Sequence, residues 1–323
     1  MPKNHSTNRA YMQMIDCVVV GDAMWDIIVK SSLMPKYNLT YCNHISIHPG
    51  GSANVSAGIA YLGGSSAFIG KVGCDAFGDA YLSDLKSRGI EPHLFRERDK
   101  RTGMVVSIVD ESGERSFLVY RGANDALNPG EVESVSDVIR KARYLYVCGY
   151  SLINKPQRES ILKAVDIATS SNVKIIFDPA LDNLTAPLRR VFAKIIDKCG
   201  VLSPNLNEAR ALCKFEKIDD IVNYFRHKIP LLALKLGSAG CILAARDDTI
   251  RAPAFKVECV DTTGAGDAFV AALIYGLCMG YSLEITATLA NWFASRVIAS
   301  YGPRSYPPRE DVKKFLEKLR PGL

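Results

Sequence analysis

A glycine-rich segment, VDTTGAGDAF at residues 260–269, carries the residue types of an anion site. Gly264 and Gly266 flank Ala265, so successive backbone N–H groups can turn toward one point. An apolar helix pattern follows, and the amino-terminal end of a helix also favours negative charge. A phosphate would fit there, and Asp267 could then accept the proton of an attacking hydroxyl. Taken alone, the segment allows a second interpretation, in which Asp267 only complements the helix dipole.

Further polar residues follow short apolar runs, as residues at the carboxyl ends of strands do. In an open parallel sheet, ligands bind beyond those ends. The residues concerned are Asp22 and Asp26 after VVVG, Asp178 after VKIIF, Asn205 and Glu208 after VLS, and Lys235 and Gly237 in LALKLG. Asn205 with Glu208 three positions later also fits a helix-capping pair, so that position has a structural alternative.

The segments that must position these residues alternate along the chain. β-branched runs begin near residues 16, 66, 144, 173, 201 and 231, and helix patterns between them include 52–63, 77–89 and 157–171. Strands that alternate with helices form mostly parallel sheets covered on both faces. The predicted fold class is therefore α/β.

Two segments interrupt that alternation. Residues 33–48 and the hairpin pattern MVVSIVDESGERSFLVY at 104–120 are not followed by helices. We expect them to form a small antiparallel sheet that projects as a lid from one domain. No internal repeat or long linker divides the sequence, so this domain spans 1–323, with 1–15 as a flexible extension.

Composition limits the classes of function. A chain of 323 residues with 48% hydrophobic residues can bury a large core, yet its apolar runs are too short to span a membrane. The net charge of +6 is spread rather than clustered, which disfavours nucleic acid as a partner and suits anionic small molecules. Nine dispersed cysteines without a CxxC pair disfavour structural zinc and predict reduced thiols in the cytoplasm.

Neither GxxxxGK[ST] nor GxGxxG occurs in the sequence, but two longer segments resemble the signatures of the ribokinase or PfkB family of carbohydrate kinases. DTTGAGDAFVAALIYGL at 261–277 is similar to the C-terminal signature, and GGSANVSAGIAYLGGSSAFIGKVGCDAFGD at 50–79 to the N-terminal one. The resemblance runs from Asp16 to about Pro308. It implies a three-layer αβα sandwich with a β lid, and ATP-dependent phosphorylation, with Mg²⁺ and in some members K⁺, of a hydroxyl on a small sugar, sugar derivative or nucleoside.

The same resemblance assigns roles to individual residues. Asp267 matches the general base, and Gly264, Ala265 and Gly266 match the anion hole. The positions that match substrate-binding residues are Asp26, Gly50, Gly51, Asn54 and Arg121. The positions that match contacts to nucleotide are Asn205, Glu208, Lys235, Gly237 and Asn291, with Glu208 acting on Mg²⁺ through water. Asp261 and Thr263 match a monovalent-cation loop that backbone around Val297, Ser300 and Gly302 completes.

The substrate stays open at this point. GGSAN is one residue shorter than the usual GGxxAN spacing, and FDPALDN has Ala180 and Asp182 where fructokinase-like and sugar-acid-kinase-like members often carry Asn and Arg. Arg121 in YRGAND favours the sugar kinases instead. The sequence thus predicts a kinase for a sugar or sugar derivative. The alternatives are a nucleoside kinase and a non-catalytic nucleotide or sugar sensor. The chain could act as a monomer or form a homodimer through the lid.

Overall fold

The computed structural model describes residues 14–31, 39, 41–110 and 115–319. The strands are β1 (Ile15–Val20), β2 (Ala23–Lys30), β3 (His44–Gly51), β4 (Ser66–Gly73), β5 (Glu91–Glu97), β6 (Gly103–Val109), β7 (Arg115–Tyr120), β8 (Ala142–Cys148), β9 (Lys174–Asp178), β10 (Val201–Leu202), β11 (Leu231–Lys235), β12 (Cys241–Ala245) and β13 (Thr249–Ala252). The helices are α1 (Ala53–Leu62), α2 (Ala76–Ser87), α3 (Pro129–Ser134), α4 (Ser136–Arg140), α5 (Gln157–Ser170), α6 (Ala186–Ile196), α7 (Leu206–Cys213), α8 (Ile218–Arg226), α9 (Ala265–Cys278), α10 (Leu283–Val297) and α11 (Arg309–Leu319). None of these helices is long and apolar enough to cross a membrane.

The larger sheet joins nine of the described strands in the order β13-β12-β11-β10-β9-β8-β1-β4-β5. Strands β11 to β5 of this order run parallel, and β12 and β13 continue the sheet in antiparallel fashion. The parallel strands end at one common edge of the sheet. Helices α1, α7 and α9 begin near that edge, each close to a strand or a lid segment. Residues from distant parts of the sequence therefore meet along that edge.

Helices cover both faces of this sheet. On β1, Val19 lies beside Phe68 and Tyr146 and belongs to a core that includes residues of α1, α9 and α10. The next residue, Val20, faces the other way, into a core shared with α5 and α6. Because both faces are buried, the central strands are continuous apolar runs rather than alternating ones. The predicted α/β class and three-layer sandwich are confirmed.

The predicted strands and helices also match in position. The runs near 16, 66, 144, 173, 201 and 231 are β1, β4, β8, β9, β10 and β11, and the three helix patterns are α1, α2 and α5. Their bounds differ from the predicted ones by one or two residues at most ends. Caps explain part of this agreement, since Asp75 accepts a hydrogen bond from the N–H of Gly78 where α2 begins.

A smaller sheet, the lid, has the strand order β3-β2-β6-β7. Its outer pairs, β2 with β3 and β6 with β7, are antiparallel as predicted, while the central pair of β2 and β6 is parallel. No strand was predicted for residues 23–30, which form β2 at the centre of the lid. Residues 1–13, most of 33–48 before β3, and the ESG turn lie outside the described residues.

The lid lies against the main body at two places. At its base, Arg121, which follows β7, bonds Asp22, which precedes β2, with 2.9 Å between Nη2 and Oδ1. This bond joins two segments in which the chain passes between the two sheets. Beyond the base, the Lys30 ammonium lies 4.2 Å from the ring centroid of Tyr301, in the loop between α10 and α11. These contacts hold the lid to the main body at its base and near the end of β2.

Candidate active site

The segment that predicted an anion site forms the start of α9. Gly264 caps the helix with φ of 79°, and a Cβ there would lie 2.5 Å from the Pro303 carbonyl oxygen, so this position requires glycine. A Cβ on Gly266 would meet the Lys235 ammonium at 3.8 Å and no other described atom within 4 Å. The N–H of Ala265 donates to the Thr262 carbonyl over 3.3 Å. The first turn therefore has room for a ligand on the side of Lys235.

Asp267, the predicted general base, lies in that first turn. The Asn54 amide donates to its Oδ2 over 2.9 Å. Burial raises the pKa of Asp267 to about 6, against the hydrogen bond from Asn54. The neighbouring charges partly cancel, because Asp178 raises this pKa whereas Lys235 and Arg304 lower it. A carboxylate that is ionised at neutral pH and close to its pKa suits a group that takes up a proton.

Asp26 approaches the same place from the lid. Burial, and then the charge of Asp267, raise the pKa of Asp26 to about 7, while Arg304 lowers it. This mutual influence means that the structure brings together one carboxylate of the lid strand β2 and one of helix α9. On the neighbouring strand β3, a Cβ on Gly50 would lie 2.0 Å from Asp26 Oδ2, so the Asp26 carboxylate packs directly against the backbone of Gly50.

The glycine pair at the end of β3 is held in place from both sides. The Tyr81 hydroxyl donates to the Gly50 carbonyl over 2.6 Å. Gly51 has φ of +73°, and a Cβ there would lie 2.4 Å from the Asp22 carbonyl oxygen. Although the sequence spacing of GGSAN is short, it therefore still brings Gly50 under Asp26 and Asn54 to Asp267.

A second group of charges lies at the ends of β9, β10 and β11. Lys235 Nζ is 2.8 Å from Asp178 Oδ2, and both side chains are buried. Asn205 and Glu208 form a reciprocal capping box at the start of α7, with the Asn205 N–H 2.8 Å from Glu208 Oε2. The structural alternative for this pair is thus confirmed. Burial, then Asp178, raise the pKa of Glu208 to about 7, and Lys235 opposes the rise.

One acceptor in this group is not engaged by the part of the protein that the structure describes. Asp178 Oδ1 is buried and has no hydrogen-bond partner among the described residues, so an acceptor points into the site unused. No cluster of three acidic, histidine or cysteine side chains that could hold a metal ion occurs in the described part of the chain. Mg²⁺ commonly keeps several waters and binds through one or two carboxylates plus phosphates, so such a cluster is not needed.

The predicted cation loop is closely folded. Asp261 Oδ1 accepts from the N–H of Thr263 at 2.9 Å and from its hydroxyl at 2.7 Å. Asp261 Oδ2 accepts from the N–H of Gly302 at 3.0 Å, and the Ile298 carbonyl accepts from the N–H of Val260 at 2.8 Å. The structure therefore brings together the two chain segments that were predicted to form this loop.

Two predicted site residues, Arg121 and Asn291, are bonded to other protein groups, and a third, Gly237, lies in a turn. Arg121 bonds Asp125 through Nε at 2.7 Å, besides its bonds to Asp22, so its donors hold the base of the lid. The Asn291 amide donates over 3.0 Å to two carbonyls that follow β13. Gly237 begins a short 3₁₀ turn with φ of +58° and has open space around its Cα. The donors of Arg121 are therefore engaged by protein groups, and its contact with substrate stays a prediction.

Sequence reasoning missed one buried arginine in this site. Arg304 lies in the loop between α10 and α11, and its Nε donates to Asn54 Oδ1 over 2.8 Å. It lies outside both signature segments, and nothing local in GPRSYPP distinguishes it from a surface arginine. Only its contact with a residue 250 positions away reveals it.

A mostly parallel sheet between helix layers, with a small second sheet, is the architecture of the ribokinase-fold kinases that this chain resembles. The model of the pfkB family of carbohydrate kinases matches residues 14–310. The chain belongs to this family.

Known relatives agree with this assignment. Fructokinase-1 of Oryza sativa subsp. japonica is 32% identical over 285 residues, which cover 83% of this chain and 88% of that protein. The solved adenosine kinase of Sinorhizobium meliloti has a TM-score of 0.84 at 26% identity and covers 94% of this chain and 99% of its own. The Arabidopsis thaliana ribokinase solved with ribose and ATP has a TM-score of 0.82 at 26% identity, covering 94% and 99%.

Proposed function

We propose that this protein transfers the terminal phosphoryl group of ATP to a hydroxyl, typically a hydroxymethyl, of a small sugar or sugar derivative. One observation carries the proposal. Asp26 on the lid lies against Gly50, and Asn54, four residues after Gly50, donates to Asp267 Oδ2 over 2.9 Å beside a helix start that has room for an anion. A transferase for an alcohol needs both a group that binds the alcohol and a base at the phosphate site.

The two carboxylates have different tasks in this proposal. Asp26 accepts hydrogen bonds from two neighbouring hydroxyls of the substrate, since one carboxylate has two oxygens and no donor. Asp267 takes the proton of the hydroxyl that attacks phosphorus, and its Oδ1 serves for this because Asn54 occupies Oδ2. We assign the role of base to Asp267 because it lies at the anion site, and the binding of the alcohol to Asp26 because it lies on the lid instead.

The remaining groups stabilise negative charge. The start of α9, from Gly264 to Gly266, would bind the transferred group through its backbone N–H groups, and the N–H of Ala265 would then exchange the Thr262 carbonyl for a phosphate oxygen. Lys235 adds a positive charge beside this turn. Glu208 and Asp178 would hold the waters of Mg²⁺, which supplies charge neutralisation for the phosphates. Gly237 and Asn291 would border the nucleotide. The Asp261–Thr263 loop would bind a monovalent cation such as K⁺ and thereby keep the neighbouring turn in shape.

The choice of alcohol is tested with a panel. The relatives are named as kinases of fructose, ribose and adenosine, so D-fructose, D-ribose and adenosine are the first substrates to try, each with ATP and Mg²⁺. We expect ADP release and a phosphorylated product, seen by ³¹P NMR, with at least one sugar. Product only from adenosine would favour a nucleoside kinase. ATP binding without product from a broad set of alcohols would mean a nucleotide sensor and would refute the proposal.

The outer face of the lid suits a second copy of the chain. In register across its four strands lie Ile47, Ile27, Val106 and Leu118, on the face opposite to Asp26. Ile47 is 49% exposed and Leu118 66% exposed, so the row is open to solvent at both ends. We expect a dimer by light scattering that Leu118→Glu converts to monomer, whereas Thr249→Glu at the far edge of the large sheet does not. A wild-type monomer at high concentration would contradict this.

The cytoplasm is the location that we propose for this activity. All nine cysteines are free, and six of them are buried. Free thiols in this number persist in a reducing compartment.

A further inference from the structure

The strongest unassigned group in the structure is the guanidinium of Arg304. Its side chain is only 4% exposed, although it belongs to a loop. Two of its nitrogens are bonded, Nε to Asn54 and Nη1 to Asp84 Oδ2, and the Tyr81 hydroxyl also lies within hydrogen-bonding reach of the guanidinium. A charged group is buried at considerable cost, so its retention at this place calls for a role.

The bond between Arg304 and Asn54 determines which way the Asn54 amide points. A guanidinium has donors and no acceptor, so it can pair only with the oxygen of the amide. The Nδ2 group must then face the other way, where it donates to Asp267 Oδ2 over 2.9 Å. If the amide were turned over, its N–H would meet the donors of Arg304 and its oxygen would meet the carboxylate of Asp267, and both contacts would be repulsive.

We propose that Arg304 is a positioning residue for the phosphoryl-transfer reaction, which it serves by fixing the Asn54 amide so that Asp267 is held with Oδ1 toward the substrate. This inference rests on the proposed function of Asp267. It adds a group from the α10–α11 loop to the part of the site that β2, β3, α1 and α9 form. The loop thereby takes part in aligning the base.

Asp84 keeps Arg304 in place and offers a matched control. Asp84, on α2, uses Oδ2 for Arg304 and Oδ1 for Arg88, whose Nε lies 2.9 Å away. Arg88 is more exposed than Arg304 and bonds Asp84 without touching Asn54. Losing Arg88 therefore disturbs the same carboxylate but leaves the chain from Arg304 to Asp267 intact. Because Asp84 retains one arginine in either variant, both proteins should fold.

The experiment compares kinetics in a double-mutant cycle, with the sugar or nucleoside of the panel that the wild type phosphorylates. Arg304→Met should lower kcat by about 100-fold, the size that a misplaced catalytic group produces, with KM for ATP unchanged within about twofold. Arg304→Lys keeps the charge but cannot reach Asn54 and Asp84 together, so it should restore only part of the activity. Arg88→Met should stay within about twofold of the wild type.

The cycle separates positioning from a general structural effect. Asn54→Ala should lower kcat to a similar extent, and Arg304→Met combined with Asn54→Ala should be no slower than Asn54→Ala alone, because both changes break one chain of contacts. Losses that multiply in the double variant would overturn the proposal. So would an Arg304→Met protein with wild-type kcat.

A titration without substrate keeps the test independent of the proposed function. The charged and titratable groups that act on Asp267 or feel its charge are Arg304, Lys235, Asp178, Asp26, Tyr146, Cys148 and Tyr306. In ¹³C NMR of aspartate carboxyls, Arg304→Met should raise the pKa of Asp267 above its wild-type value of about 6, while Arg88→Met leaves it unchanged. If no panel compound is phosphorylated, the proposed function has failed, and an unchanged titration in Arg304→Met would show separately that the positioning role is wrong.

Discussion

The replacement of Asp267 by asparagine separates what this residue does for chemistry from what it does for the fold. The amide has nearly the same shape and can still accept the hydrogen bond from Asn54, but it cannot take a proton at neutral pH. We therefore expect Asp267→Asn to lower kcat by about 10² to 10⁴, the usual contribution of a general base. Binding of ATP should change little, since the backbone of the anion site remains.

The same substitution should stabilise the fold. The pKa of Asp267 rises from 3.8 to about 6 on folding, and about two units at 1.36 kcal/mol each give roughly 3 kcal/mol against the ionised form. The side chain keeps partial contact with solvent, so we take about half, roughly 1.5 kcal/mol. For a chain of this length that corresponds to a rise in Tm of about 2 °C.

The sign of the pH dependence follows from the direction of this shift. A carboxyl whose folded pKa is raised destabilises the folded protein fully above pH 6, and the penalty fades as the pH falls through 6 and is absent below 3.8, where both states are protonated. The gain in Tm should therefore be larger at pH 8 than at pH 5. The rate of ADP release gives kcat, calorimetry gives the affinity for ATP, and thermal unfolding gives Tm. Undiminished kcat would refute the role of Asp267 as the base, and a lower Tm at pH 8 would refute the penalty that we assign to burying its charge.

Two further predictions concern the same carboxylates. The kcat/KM for the alcohol should fall as the pH drops below about 7, because Asp26 and Asp267, with pKa values of about 7 and about 6, then take up protons; a pH–rate profile that stays flat down to pH 5 would contradict this. Gly50→Ala would place Cβ 2.0 Å from Asp26 Oδ2, so KM for the alcohol should rise at least about tenfold while KM for ATP stays constant. Gly200→Ala, whose Cβ meets nothing nearer than 3.6 Å, is the control, and equal effects of the two changes would argue against the steric reason.

Contiguous patterns made much of the site predictable. Gly264, Gly266 and Asp267 lie in one segment whose glycines and helix pattern are local properties, so their arrangement follows from neighbouring residues. The parallel sheet was predictable for a similar reason, since strands buried on both faces are continuous apolar runs.

The parts that sequence reasoning missed depend on distant partners. Residues 23–30 become the central lid strand because they pair with β6, some eighty residues later, and nothing within AMWDIIVK indicates that partner. The sequence does not distinguish Arg121 from Arg304. In the structure, Arg121 bonds Asp22 and Asp125, whereas Arg304 bonds Asn54. Whether the donors of an arginine are already engaged is decided only by the folded chain.

The position of the two acidic groups on different sheets has an energetic consequence for the empty protein. Asp26 belongs to the lid and Asp267 to the main body, and each disfavours the charge of the other. Without a ligand, the two like charges therefore disfavour a short distance between the lid and the start of α9. In the proposed function, an alcohol between them would offer hydroxyl donors to both carboxylates, so the substrate would supply an attraction that the bare protein lacks.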